Sequence, residues 1–218
     1  MPAYNSIFNS EPSPRLIGNF PLLPLRTKTR GPAYTLPLDP SLPPNESPEP
    51  DSESYDAVDE VISLFRANTF FRNFEIQGPA DRLLIYGILF LSECLGKIRP
   101  NMGARRWWGR EIGVYAEHGC YGDGWLTWEN HNREAQKEVQ NIALDNNFSI
   151  PGDPGFPLNQ MFEPPRDRQE AEILRQYLAQ VRQEIAARIL ARVYDDIDSK
   201  PSKWWLSFTK RKFMGKNL

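Results

Sequence analysis

Apolar residues recur at helical steps along parts of this chain and lose all period elsewhere. From Asp56, the segment DAVDEVISLFRANTFF places Val58, Val61, Ile62, Phe65 and Thr69 three and four residues apart, which predicts a helix with one buried stripe. Asp56, Asp59 and Glu60 lie at its start, where the helix dipole favours negative charge. Gly78-Pro79 then breaks the pattern. Residues 80–98, ADRLLIYGILFLSECLGKI, leave almost no polar face. A helix apolar on all sides is a buried one, so this segment is expected to be central, with the other helices around it and Pro100 as its stop. Residues 133–145 form a weaker amphipathic pattern, with Val139, Ile142 and Ala143 inward. The clearest helix covers residues 167–195, where Leu174, Leu178, Val181, Ile185, Ile189 and Val193 recur at three- and four-residue intervals. Asp167, Glu170 and Glu172 come early and Arg188 and Arg192 late, both favourable to its dipole. A last helix is expected over residues 202–214 with Ser202 as N-cap. No alternating strand pair is expected. The predicted fold is all-α, a compact bundle of about five helices enclosing one of them.

Proline changes the picture outside these helices. Residues 1–54 hold 12 of the 20 prolines, and proline lacks a backbone donor and fixes φ. Residues 37–53 read as an acidic, self-repelling linker. Residues 16–25, LIGNFPLLPL, are apolar and proline-punctuated, and read as an extended arm on the domain or on a partner, with Leu16, Ile17, Leu22 and Leu23 as its candidate contacts. The division is therefore an arm and linker over 1–54 and a helical domain over 55–218. Residues 150–165 hold five prolines and two glycines and are expected to be irregular but ordered, pinned by Phe148, Ile150, Phe156, Leu158 and Met161. PGDPG at 151–155 reads as a turn, since its prolines remove donors that a phosphate cradle needs.

The formal net charge of -2 hides asymmetry. Residues 31–60 carry eight acids and no base, whereas residues 200–218 carry six bases and no acid. Near-neutrality argues against a general nucleic-acid binder. Two cysteines exclude a disulfide scaffold, and no secretory signal or membrane-length apolar run is present. The expectation is a soluble, intracellular protein. The basic end interleaves Lys200, Lys203, Lys210, Arg211, Lys212 and Lys216 with Trp204, Trp205, Phe208 and Phe213. Such a pattern can stack nucleic-acid bases, sit at a membrane surface, pack into the core with solvated lysines, or anchor a protein interface. Burying a tryptophan removes about 150–250 Å² from water, worth at most about 4–6 kcal/mol.

Catalytic and metal chemistry find little footing. His118, Cys120, His131 and the distant Cys94 match no zinc spacing. There is no phosphate-binding glycine loop and no nucleophile elbow. Asp195-Asp196 reads as a solvated helix end. The expectation is no enzyme, no cofactor and no metal.

Several strings together carry a resemblance. Met1-Pro2-Ala3-Tyr4, LIGN at 16–19, LLPLR at 22–26, GPA at 31–33, residues 56–76, residues 80–95, IPGDPGFPLN at 150–159, YLAQVRQE at 177–184 and KPSKWWLSFTKRKFM at 200–214 resemble the subunit 3 family of the actin-related protein 2/3 complex, the seven-subunit assembly that nucleates branched actin filaments. The resemblance implies a compact helical bundle and a non-catalytic structural subunit, cytoplasmic and cytoskeletal at actin patches or cortex. The implied partners are the other subunits, chiefly actin-related protein 3, and the actin filament, with docking on the mother filament and support of a daughter branch. It implies neither nucleic-acid binding nor membrane insertion, and ATP and its metal would belong to the actin-related subunits. The alternative class is a basic-tailed module for anionic lipid or single-stranded nucleic acid. Two stretches depart from the family: residues 35–54 are longer, and residues 104–132 have no counterpart. The latter interrupt the helical domain with four of the six Trp and both His, and a long structureless loop inside a compact domain is unusual. Their reading is a retained intron, since excision joins Gly103 to Arg133 at a natural helix start; the alternative is a true surface insertion.

Overall fold

The computed structural model describes residues 4–12, 14–37, 42–43, 46–99, 125–194, 200–216 and 218, with residues 125–134 described as backbone only. Most of residues 104–132, His118 and Cys120, the side chain of His131, and Asp195-Asp196 lie outside this set. The described chain is mostly helical: α1 (Ala57–Asn68), α2 (Ala80–Lys97), α3 (Trp125–Leu144), α4 (Arg168–Val193) and the short α5 (Lys203–Leu206).

Helices α1 and α4 start at the caps their sequence provides. Asp56 caps α1 by accepting the Asp59 N–H, and the Asp59 carboxylate accepts the Asp56 N–H in return, so two otherwise orphaned donors are satisfied together. Asp167 caps α4 through the Glu170 N–H. Residues 83–91 of α2 are buried without interruption, because the helix packs against α1, α3, α4 and the N-terminal segment. The α4 stripe from Leu174 to Val193 is fully buried against it. Helix α3 begins at Trp125, ahead of the start expected at Arg133. Residues 150–165 contain no regular element, and Phe148, Ile150, Phe156 and Leu158 enter the core while Met161 packs against it.

Two further expectations need correction. A small antiparallel hairpin is present, β1 (Arg15–Ile17) and β2 (Phe20–Leu22), with Ile17 opposite Phe20. Gly18-Asn19 makes its turn with Gly18 at φ +57°, a conformation that glycine adopts freely. A Cβ there would meet the Glu163 carbonyl oxygen at 2.5 Å, so the hairpin tip can dock on residues 161–164. Pro21 limits the strand's ladder and keeps the pair short. The expected helix over 202–214 is instead four residues of α5, then turns and a 3-10 turn at Phe213–Gly215. Ser202 makes no side-chain cap. Trp205 and Phe208 share a helical face, but Phe213, five residues after Phe208, would point about 140° away. The chain leaves the helix so that all three reach the core.

The N-terminal segment belongs to the same hydrophobic core as the helices. Ile17, Phe20, Leu23, Leu25 and Ala33 are buried in it. Tyr177 of α4 accepts the Leu23 N–H and donates to the Leu23 carbonyl, both at 3.0 Å. Gln180 receives the Ala33 N–H at 3.0 Å and donates to the Thr29 carbonyl at 2.7 Å.

Candidate interface at the C-terminal end

The C-terminal segment is anchored by aromatic rings below and exposes others above. Trp205, Phe208 and Phe213 are buried. Phe65 of α1 lies 6.2 Å from Trp205 and 6.1 Å from Phe208 between ring centroids, and Phe213 meets Phe74 edge-on at 5.9 Å. Backbone bonds fix both ends, from Ser202 N–H to the Val193 carbonyl at 2.8 Å and from Met214 N–H to the Phe71 carbonyl at 3.2 Å.

Two large rings remain in solvent on this rigid base. Trp204 is 46% exposed and Phe70, just beyond α1, is 53% exposed. Both stand edge-on to Phe208, at 5.5 and 6.2 Å. Each carries a guanidinium over its face: Arg66 lies 5.3 Å from the Trp204 ring and Arg211 lies 4.3 Å from Phe70. Lys200, Lys203, Lys210 and Lys212 are exposed along the same segment. The result is a preordered aromatic and cationic face, the composition that anchors protein interfaces.

The structure separates the residues singled out in the sequence. Ile17, Leu23 and Trp205 are buried at 1%, 2% and 9% exposure and belong to this chain's own core, not to its surface. Their burial follows from the hairpin register and from the α5 face that meets Phe65. Leu16 is exposed and Leu22 half-buried. Arg66 and Phe70 were not singled out, because nothing in a linear reading brings the end of α1 beside Trp204.

Sequence reading also missed two buried polar networks. Arg188 of α4 binds Asp56 through both terminal nitrogens and reaches Asp59 at 3.1 Å. Arg26 joins Asp59 at 2.9 Å, and Ser47 donates to Asp59 at 2.8 Å. Burial acts upward on both carboxyls. Hydrogen bonds and charge from Arg188 nonetheless bring Asp56 below the ordinary carboxylate range. Burial and the neighbouring Asp56 hold Asp59 above it. In the second network, Asn68 exchanges two 2.9 Å bonds with the Tyr4 backbone. Glu60 accepts from the Ser6 hydroxyl and the Ile7 N–H, and Asp81 accepts from the Ser6 N–H and the Asn5 amide. These carboxylates are occupied in holding the N-terminal segment. The Cys94 thiol is fully buried and held well above its usual range by that burial, which keeps it unreactive.

The sequence model of P21-Arc, the ARP2/3 complex ARPC3 (21 kDa) subunit, matches residues 1–108 and 125–218. The chain belongs to the P21-Arc family. Proteins named actin-related protein 2/3 complex subunit 3 align with it end to end. That of Schizosaccharomyces pombe is 46% identical over 218 residues and that of Saccharomyces cerevisiae 44% identical over 222 residues, each covering 100% of both chains. That of Dictyostelium discoideum is 39% identical over 216 residues, covering 99% of both. The P21-Arc match omits residues 109–124, a gap narrower than the 104–132 stretch set apart by sequence. Both tryptophans of KPSKWW, and Arg66 and Phe70 beside them, fall in matched P21-Arc regions.

Proposed function

We propose that this chain is a non-catalytic structural subunit of the actin-related protein 2/3 complex, supporting nucleation of branched actin filaments in the cytoplasmic actin cytoskeleton, at patches or cortex. Family membership supports the assembly. The surface that serves it is the face formed by Trp204, Phe70, Arg66 and Arg211, with Lys200, Lys203, Lys210 and Lys212 adding long-range attraction to an acidic partner. Actin-related protein 3 is the chief partner in this reading, and docking on the mother filament follows from the complex as a whole. The observation that carries the surface assignment is the pair of half-exposed rings, each under a guanidinium, packed on a C-terminal segment whose other rings are buried.

Affinity purification of the full chain from native lysate tests both parts. The other subunits are expected in stoichiometric amount. The double variant Trp204→Ala/Phe70→Ala is expected to keep the helical circular-dichroism spectrum and to lose about tenfold or more in subunit recovery, the size of one strong interface anchor. Full recovery by the double variant would move the interface elsewhere on the chain. In the same proposal a retained intron accounts for residues 109–124, which the P21-Arc match omits; the matched residues 104–108 and 125–132 correct the wider 104–132 bounds. Sequenced mature transcripts are expected to lack the codons for this unmatched stretch, and reads running through it in most messages would make it a true insertion.

A further inference from the structure

Ser47 occupies an unusual position for a linker residue. Its hydroxyl donates to Asp59 at 2.8 Å and accepts from Arg192 Nη2 at 2.6 Å. The other terminal nitrogen of Arg192, Nη1, is buried with no hydrogen-bond partner among the described residues, and so is Nε of Arg26, which binds the same Asp59. The guanidinium that binds this hydroxyl thus has a donor in want of an acceptor, and buried donors left unmade are costly. Ser47 is half-buried and followed by the buried Pro48, while Glu46 and Glu49 on either side are exposed. A serine directly before proline is the sequence that proline-directed protein kinases accept, here between two exposed glutamates.

We infer that Ser47 is a phosphorylation site for a proline-directed serine/threonine kinase, and that the phosphoryl group is received by Arg192, latching the linker onto α1 and α4. The Ser47 Oγ attacks the γ-phosphorus of ATP. An Oγ–P bond forms, the bond from that phosphorus to the β,γ-bridging oxygen breaks, ADP leaves, and the hydroxyl proton passes to the kinase's catalytic carboxylate. The modified serine no longer donates to Asp59, which keeps Arg26 and Arg188. The charges of Asp59 and the phosphate are balanced by Arg26, Arg188 and Arg192. The phosphate supplies acceptor oxygens for both terminal nitrogens of Arg192, the fork geometry that guanidinium and phosphate share.

The test uses the full chain, ATP and a proline-directed kinase shown to be competent on a synthetic peptide of residues 41–54. Peptide mapping by mass spectrometry is expected to place one phosphoryl group on Ser47, absent in Ser47→Ala. Cleavage of the linker by a glutamate-specific protease is then expected to slow about tenfold on phosphorylation, the size of one charge-assisted hydrogen bond. In Arg192→Gln, phosphorylation is expected to leave that rate within about twofold, which separates latching from direct hindrance of the protease. The inference is overturned if the peptide is modified but Ser47 in the chain is not, if phosphorylation speeds cleavage, or if protection is equal in Arg192→Gln.

Discussion

Arg188 holds Asp56 in a two-pronged grip, Nη1 to Oδ1 at 2.6 Å and Nη2 to Oδ2 at 2.7 Å, across 132 residues of sequence. The same Nη2 donates to the Arg26 carbonyl at 2.7 Å. One guanidinium therefore ties the end of α4 to the cap of α1 and to the N-terminal segment. The pair is buried, so removing one member strands the other charge in a medium of low polarity. Arg188→Ala is expected to cost about 3–5 kcal/mol in chemical denaturation. Arg188→Lys is expected to recover only part of that, because an ammonium cannot make the fork. A lysine variant as stable as wild type would show that charge alone suffices.

Glu60 and Asp56 are predicted to act on stability with opposite signs as pH changes. Burial raises Glu60 above the ordinary glutamate range, despite the Ser6 and Ile7 donors, and the nearby Asp81 adds to the rise. Its folded pKa exceeds its unfolded one, so its contribution is full below the unfolded pKa and is lost as pH rises through the folded value. Asp56 lies below its ordinary value, so its contribution is present above the unfolded pKa and lost as pH falls through the folded value. Thermal melts of wild type and Glu60→Gln from about pH 4 to about pH 8 isolate the first effect. The variant is expected to gain on wild type as pH rises, and then to run parallel to it. A difference independent of pH would show that Glu60 titrates as it does in the unfolded chain.

The basic end separates assembly from folding. Lys210, Arg211 and Lys212 are exposed, and among the described residues the Arg211 side chain alone of the three has a partner, the Phe70 ring. Reversing all three to Glu is expected to cost the isolated fold no more than about 1 kcal/mol, the size of an exposed cation–π contact. Incorporation into the complex is expected to fall, and to fall more at low salt, where screening is weaker. Incorporation equal to wild type at every salt concentration would remove these three charges from the docking surface.

What could be seen in the sequence divides along a physical line. Helices α1 and α4 were legible because each buries a periodic apolar stripe, and α2 because it is apolar on almost every side; the Asp56 and Asp167 caps lie beside the first turn they serve. The hairpin was not, although Gly18-Asn19 between apolar residues is a turn signal, because three-residue strands are too short to show alternation. The end of the last helix was misplaced because no local propensity tells that Phe213 must turn back toward Phe74. The ion cluster was invisible for another reason. Asp59 and Arg192 look like charges matched to their own helix dipoles, and only the tertiary fold brings Ser47 between them. Half of the candidate face was legible in KPSKWW; the other half, Arg66 and Phe70, comes from α1 and its exit.

Gly87 and Val61 set how closely α1 approaches α2. A Cβ built on Gly87 would lie 2.5 Å from one Val61 methyl and 2.9 Å from the other, inside any real contact. Glycine in mid-helix costs about 0.5–1 kcal/mol relative to alanine, so the residue is disfavoured locally and favoured only by this packing. Val61 is buried and α1 is fixed at its cap by Asp56, so the methyls cannot swing away freely. Gly87→Ala is expected to destabilise by about 1–3 kcal/mol despite its better helix propensity. Val61→Ala alone is expected to cost about 1–3 kcal/mol for its lost methyl groups. The double variant is expected to be more stable than the sum of the two, by about 1 kcal/mol or more, since the alanine methyl at position 87 fills part of the space left at position 61. Strict additivity in a double-mutant cycle would mean that the helices shift to absorb the extra methyl, and that Gly87 does not set their spacing.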